Sequence, residues 1–297
     1  MIAARPAPRR RGGVRPGRLA LHAFLIATVA LWLLPLLWAI YTALRPLSDT
    51  VKNGYFSIAT TLNLSNFSSV WDQAQLPYYY FNTLIIVVPG VLLTLLVSSM
   101  LAFALTQFSW RFNLIVLMLF TAGNLLPPQV IIIPLYWLYL NIPVPIGWLS
   151  DNGLLYDQYI GIILIHVVFQ TGFATFVLSN YMRTITKEVT ESALVDGANV
   201  LRIWWSVILP LCRPALAAMG TLLFTFMYND FFWALILMKS GDKRPITSAL
   251  NNLQGAFFTN YNLVAAGALL AAIPPILVYI ALQRHFVRGL ALGATKG

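Results

Sequence analysis

The chain carries nine carboxylates in 297 residues, and four of them sit where a charge has consequences. Glu188, Glu191 and Asp196 crowd one short polar stretch, EVTESALVDGANVLRIWWSVILP over residues 188–210, between two long apolar runs. Asp230 is the lone carboxylate inside an apolar run long enough to cross a membrane. Neither arrangement makes a catalytic set. His-Glu-x-x-His, paired-aspartate and Gly-x-Ser-Gly patterns are absent from the apolar runs, so no catalytic residue and no metal site are expected. Asp196-Gly197 fits part of a phosphatidyl-transferase signature, but the later aspartates are missing. Residues 12–18, GGVRPGR, lack the Gly-Lys-Ser/Thr ending and the preceding strand of a phosphate-binding loop. Cys212 is the single cysteine, which excludes an internal disulfide and a cysteine-based metal cluster. His166 and Gln170 lie one helical turn apart, too few groups for a proton relay, and are expected to pack or to line a pore.

Membrane-spanning helices must position these groups. The chain is 59% apolar and only 9% charged, whereas soluble domains carry roughly 25% charged residues. Too few polar side chains exist to cover a water-facing surface. The net charge of +10 does not mark a nucleic-acid partner, because the basic residues are scattered between apolar runs. A helix needs about 20 apolar residues to cross the hydrocarbon core. Six segments qualify: Leu19–Leu44, Asn82–Gln107, Asn113–Leu140, Tyr159–Met182, Pro214–Met238 and Leu263–Gln283. The third holds Pro127-Pro128 near its middle, and the following NIPVPIGW (141–148) reads as an outer loop. The expected fold class is therefore all-α, a polytopic membrane protein with six transmembrane helices.

Residues 1–18 hold six arginines with Pro and Gly and no apolar anchor, the composition of a disordered, cytoplasmic arm. Leu19–Leu44 is too long for a signal-peptide core of about 7–15 residues. Residues 19–297 then form a single membrane domain. With both termini cytoplasmic, fourteen basic residues fall inside and five outside, as the positive-inside bias requires. This orientation puts the loop 183–213 on the cytoplasmic side.

That loop reads as two short helices joined by a glycine corner. Thr186 can cap the first, with Glu188 and Glu191 near its positive N-terminal end. Asp196-Gly197 is a stop-and-turn signal. Asn199 can cap a second helix, Val200–Ile208, and Pro210 marks a break before the fifth span. A stiff knuckle of this kind transmits a push that a slack tether cannot. The same residues also suit an amphipathic element in the interface, with Trp204 and Trp205 at headgroup level.

The stretch resembles the EAA loop of ABC importer permeases: Glu-Ala-Ala, three residues, Gly, nine residues, Ile, one residue, Leu-Pro. Glu191-Ser192-Ala193, Gly197, Val207, Leu209 and Pro210 stand at those places, with Ser192 for Ala and Val207 for Ile. Tyr228-Asn229-Asp230-Phe231 resembles the Trp-Asn-Asp-Phe of the carbohydrate branch, and the ending from Leu282 is similar to that of maltose-type sugar permeases. The resemblance implies the transmembrane domain of a type I ABC importer, the second permease subunit of a sugar uptake system in a bacterial plasma membrane. It implies a second permease, two ATPase domains, an extracytoplasmic sugar-binding protein and surrounding membrane lipid as partners. ATP and magnesium would sit on the ATPases, so no cofactor is expected in this chain and the subunit itself is not an enzyme. By the same resemblance Glu188, Glu191, Ala193, Asp196, Gly197, Leu209 and Pro210 couple to the ATPase. The tail Arg284–Gly297 reaches toward the ATPases in some relatives.

Asp230 falls 16 residues into the fifth span, about 24 Å along it, toward the outer side. A charge there costs at least ~2.5 kcal/mol near the bilayer centre and less toward the edge. With Asn229 it is a candidate for the sugar path or an outer gate, or else for a helix-packing hydrogen bond. Trp137, Tyr136 and Trp233 are of the type that stacks on sugar rings, although interfacial belts account for most aromatics. Two other classes remain: a secondary carrier, against which the scarcity of charged groups in the spans counts, and a polytopic membrane enzyme, which lacks a motif.

Overall fold

The computed structural model describes residues 16–108, 110–123, 127–253 and 259–294, with side chains omitted at 16, 252 and 284–294. The expected arm, apart from residues 16–18, and the last three residues of the tail lie outside the described residues. The helices are α1 (Pro16–Leu44), α2 (Leu47–Asn53), α3 (Ser65–Gln73), α4 (Leu76–Gln107), α5 (Asn113–Gly123), α6 (Ile132–Asn141) and α7 (Tyr159–Met182). They continue as α8 (Lys187–Val195), α9 (Val200–Ile203), α10 (Leu209–Leu211), α11 (Arg213–Tyr228), α12 (Phe232–Leu237), α13 (Ile246–Ala249) and α14 (Tyr261–Ala294). No strand occurs among the described residues, only an isolated bridge between Pro143 and Leu154. The all-α expectation holds.

Four helices are long and apolar enough to cross a membrane unbroken, and two bent pairs raise the number to six. The fourth expected span, Tyr159–Met182, coincides with α7. The third is not one straight helix as expected. The helices Asn113–Gly123 and Pro128–Asn141 lie 88° apart, because Pro127 and Pro128 give no N–H to a ladder and disfavour helix in the preceding residue. The fifth is also interrupted: α11 ends at Tyr228 and the chain resumes as α12 at Phe232. Sixteen residues of α11 reach about 24 Å, short of the ~30 Å hydrocarbon core, and the second bent pair joins α11 to residues 200–211, at its N-terminal end.

The core is the pair α4 and α7, and both helices bury many small residues among the packed spans. Thr83, Val87, Gly90, Thr94, Ser98 and Ala102 on α4 are buried at helical spacing, as are Gly161, Gly172, Thr175 and Ser179 on α7. Small side chains bring helix backbones close in a medium where apolar burial gives no drive. The hydroxyls of Thr94, Ser98 and Ser179 donate to carbonyls one turn back, so none needs a partner across the helix pair. α11 packs on α4 and α14, with Met227 Sδ 3.0 Å from where a Cβ on Gly90 would stand. α1 touches mainly α14 and α3, and its most apolar stretch buries nothing within the chain.

The expected outer ends of α1 and α14 are tied by polar groups. Arg45, only 1% exposed, pairs with Asp49 at 2.5 Å and donates to the carbonyls of Gly54, Tyr55 and Ser57. Asn262 at the start of α14 donates to the carbonyls of Thr42 and Arg45. Asp157, at φ 63°, accepts from the backbone N–H groups of Lys239 and Ser240, joining the loop after α6 to the loop after α12.

Candidate functional site

The polar stretch between α7 and α11 folds as the sequence suggests, into a cornered elbow. α8 ends at Val195 with Asp196 as its C-cap, and Gly197 takes φ +77°, the left-handed conformation that glycine alone adopts without steric cost. The Gly197 N–H donates to the Leu194 carbonyl and the Ala198 N–H to the Ala193 carbonyl, both at 3.0 Å. This is the Schellman closure, which satisfies carbonyls that the helix end leaves open. Asn199 caps the next helix, its side-chain oxygen accepting from the Arg202 N–H at 2.8 Å.

Two local details differ from expectation. Thr186 occupies the cap position but makes no side-chain capping bond. The Glu188 carboxyl in the first turn is kept below its usual range by its own backbone N–H and next by the Thr186 hydroxyl. The second helix does not break at Pro210. It runs as α9, a π-helical turn over Trp204–Ile208 and α10 to Leu211, and the break falls at Cys212. A proline ring clashes with the carbonyl four residues back in a regular helix, and the widened π turn relieves that contact. Residues 200–211 then meet α11 at 79°.

The elbow sorts the expected coupling residues onto two sides. Glu188, Glu191, Asp196 and Gly197 are exposed, together with the apolar Leu194 and Val195. Ala193, Ala198 and Leu209 turn inward and pack on a cluster of Ala102 and Phe103 from α4, Leu178 and Met182 from α7, and Ile203, Trp204, Ile208 and Cys212. Pro210 is half-buried beside them. Thr190 adds a polar tie, donating to the Gln107 side chain at the end of α4 at 3.0 Å. Sequence reasoning missed this tie, because Thr190 and Gln107 lie 83 positions apart and neither belongs to the motif. It also grouped the two tryptophans: Trp204 is core, while Trp205 is 63% exposed. The outer side of the elbow thus exposes carboxylates beside an apolar pair, and its inner side is fastened to two spans.

The second candidate pair, Asn229 and Asp230, is divided. Asp230 does not sit within a continuous helix. It lies in the break between α11 and α12, and its two carboxylate oxygens accept from the N–H groups of Trp233 and Ala234 at 3.3 Å. Thr247 donates to its carbonyl, and His166 Nε2 on α7 stands 3.6 Å from its carboxylate. Asp230, one residue before the N-cap position Phe231, therefore caps α12 with its side chain and also faces a buried histidine. No hydrogen-bond partner reaches His166 Nε2 itself. Asn229 is exposed, its amide donating to Thr225 one turn back. Trp233 is buried beside Phe169 and holds the core, whereas Trp137 is exposed. Among the described residues no three His, Cys, Asp or Glu side chains converge on a metal-sized site.

Residues 90–292, more than two thirds of the chain, match the family described as binding-protein-dependent transport system inner membrane component. The chain is 30% identical over 237 residues to the melibiose/raffinose/stachyose import permease protein MelC of Bacillus subtilis, covering 80% of this chain and 82% of that one. Its fold is similar to a chain of a bacterial ABC transporter that imports alginate (TM-score 0.75, 23% identity, 93% of this chain and 99% of that one). A second crystal structure, the alginate transporter with its pentasaccharide-bound periplasmic protein, matches at TM-score 0.64 and 19% identity over 89% of this chain and 92% of that one. The family match and the broken-span helical bundle agree: the chain belongs to the binding-protein-dependent transport system inner membrane components, the permease subunits of ABC importers.

Proposed function

We propose that this chain is the membrane permease of an ATP-driven sugar uptake system, with a disaccharide or oligosaccharide as cargo. It forms a pore with a second permease, receives sugar from an extracytoplasmic binding protein, and is driven by two separate ATPase domains that hold ATP and magnesium. The chain itself catalyses nothing. Its termini and the loop 183–213 face the cytoplasm, and residues 19–297 act as one permease domain.

One observation carries the reading. The Gly197 corner leaves Glu188, Glu191 and Asp196 exposed, while Ala193 and Leu209 are packed against α4 and α7. A push on the exposed tip passes through side chains already in contact with two spans, and through Pro210 toward α11. Glu188 and Glu191 supply charge for polar contacts with the ATPase cleft. The sugar cargo rests on the relatives, whose names include oligosaccharide import and whose structural counterpart handles alginate. On the cargo side, exposed Asn229 is the group free to meet sugar, and Asp230 shapes the break that presents it.

The His166–Asp230 contact favours one rival, a proton-coupled carrier, since it pairs two titratable groups inside the bundle. Uptake of labelled oligosaccharide by cells decides between them. Collapsing the proton gradient with ATP maintained leaves uptake intact if an ATPase drives it, and stops it in a carrier. Co-purification with an ATPase subunit that depends on residues 188–197 completes the test. Labelling of residues 186–210 from outside intact cells would refute the arrangement.

A further inference from the structure

Residues 200–211 and the start of α11 also border an open groove. Trp205, Ser206, Leu209 and Pro210 on one side and Arg213 and Leu216 of α11 on the other line a volume of about 410 Å³. Its polar side chains are a guanidinium, a hydroxyl and an indole N–H, all able to donate, and no carboxylate lines it. None of the three makes a hydrogen bond or ion pair among the described residues. Leu209, Pro210 and Leu216 make the remaining wall apolar. Trp205 and Ser206 belong to the π-helical turn, a distortion that recurs at functional sites.

An amphiphile with an anionic head satisfies both halves of this groove. A soluble anion would leave the apolar wall wet, and a neutral lipid would leave Arg213 without a counter-charge. The position fits as well. Arg213 begins α11 and shares with Arg183, Lys187 and Arg202 the loop 183–213 assigned to the cytoplasmic surface, where anionic headgroups attract basic side chains. An exposed tryptophan is the usual companion at that depth. We propose that the groove binds the headgroup and upper acyl chain of an anionic phospholipid of the inner leaflet, and that the lipid braces the 79° junction of residues 200–211 with α11. The bracing role rests on the coupling function proposed above. Binding requires only that the elbow lie at the inner membrane surface.

The test uses the complete transporter, with its second permease and ATPases, in nanodiscs of phosphatidylcholine containing graded phosphatidylglycerol. Native mass spectrometry counts retained phosphatidylglycerol, and a photoreactive phosphatidylglycerol maps its contacts. Wild type retains one more phosphatidylglycerol per copy of this chain than Arg213→Gln, whose apparent affinity is about fivefold lower. Arg213→Lys keeps most of the retention. Arg111→Gln, which removes the same charge elsewhere on the inner side, behaves as wild type. Crosslinks fall on the peptide holding Trp205 and Leu209. Sugar moved per ATP rises with phosphatidylglycerol in wild type and stays flat in Arg213→Gln. Equal lipid loss in Arg213→Gln and Arg111→Gln overturns the proposal, because diffuse charge would then suffice. Displacement of the lipid by millimolar glycerol phosphate also overturns it, since the apolar wall would then be idle. Loss of the ATPases from Arg213→Gln would assign Arg213 to their docking surface instead. Failure of the coupling function reads differently: Gly197→Asp would then keep its ATPases and transport normally, whatever the lipid count.

Discussion

Replacing Gly197 separates the shape of the elbow from the surface it presents. At φ +77° a side chain meets backbone strain but no neighbour, since nothing lies within 4 Å of a Cβ built there. An L-residue in the left-handed region costs about 1–2 kcal/mol, and tenfold corresponds to about 1.4 kcal/mol. Alanine therefore lowers the formed-to-opened ratio of the corner roughly 5- to 30-fold. Asparagine, which visits this region more readily, lowers it less, and β-branched valine lowers it most. Because two backbone bonds close the corner, Leu194–Gly197 and Ala193–Ala198, opening it releases both helices together. The assay is sugar-stimulated ATP hydrolysis and uptake in proteoliposomes, with membrane levels measured alongside. The expected order of activity is Gly, Asn, Ala, Val. Gly197→Asp resembles Asn in backbone tolerance but adds a charge to the exposed tip. It is expected to abolish transport while the protein remains in the membrane. Valine as active as asparagine would refute the strained corner, and an active aspartate variant would refute docking at the tip.

At Asp230, asparagine keeps a capping oxygen, so Asp230→Asn should retain most uptake, whereas Asp230→Ala loses about 1 kcal/mol of α12 capping; an inactive Asn variant with a normal melting temperature would instead assign the charge to the cargo path. Gly161→Ala would drive a Cβ to 2.5 Å from the Leu155 carbonyl and 3.1 Å from Tyr139, and should lower stability by roughly 1–3 kcal/mol, read as a lower unfolding temperature in detergent. The Asp49 carboxyl is held down to about 2 by the Thr60 hydroxyl and then by Arg45. Its pKa is depressed on folding, so its contribution is complete above the unfolded carboxylate range near pH 4 and fades as pH falls toward 2. Hydrogen exchange of residues 54–64 should accordingly be unchanged between pH 7 and 5, once corrected for intrinsic rates, and protection should be lost only near pH 3 and below.

Local chemistry was readable from the sequence, and long-range pairing was not. The limits of α7, the Gly197 corner and the Asn199 cap each depend on residues within a turn or two, so type and spacing suffice. The bends in the third and fifth spans escaped, because apolar runs continue through them and hydropathy does not record helix direction. Pro127-Pro128 was the visible sign of the first. The break at Asn229 had none, since its cap, Asp230, reads as a misplaced charge until Trp233 and Ala234 turn their N–H groups to it. His166 and Asp230 looked like isolated polar groups on separate spans, and only folding sets them 3.6 Å apart. The inner wall of the elbow was legible as a motif but not as a joint, because the residues of α4 and α7 that receive it are ordinary apolar ones.

The clasp between Asn262 and the carbonyl of Thr42 joins positions 220 residues apart. At about 5–20 residues per second of synthesis, the first span waits roughly 10–45 s for the last one to emerge. Until then the outer end of α1 is held only from nearby, by the Asn66 amide on the Ala43 and Arg45 carbonyls, and the Thr42 carbonyl waits for Asn262. The last helix thus closes the first span's polar end, and the bundle is complete only when the chain is nearly fully made.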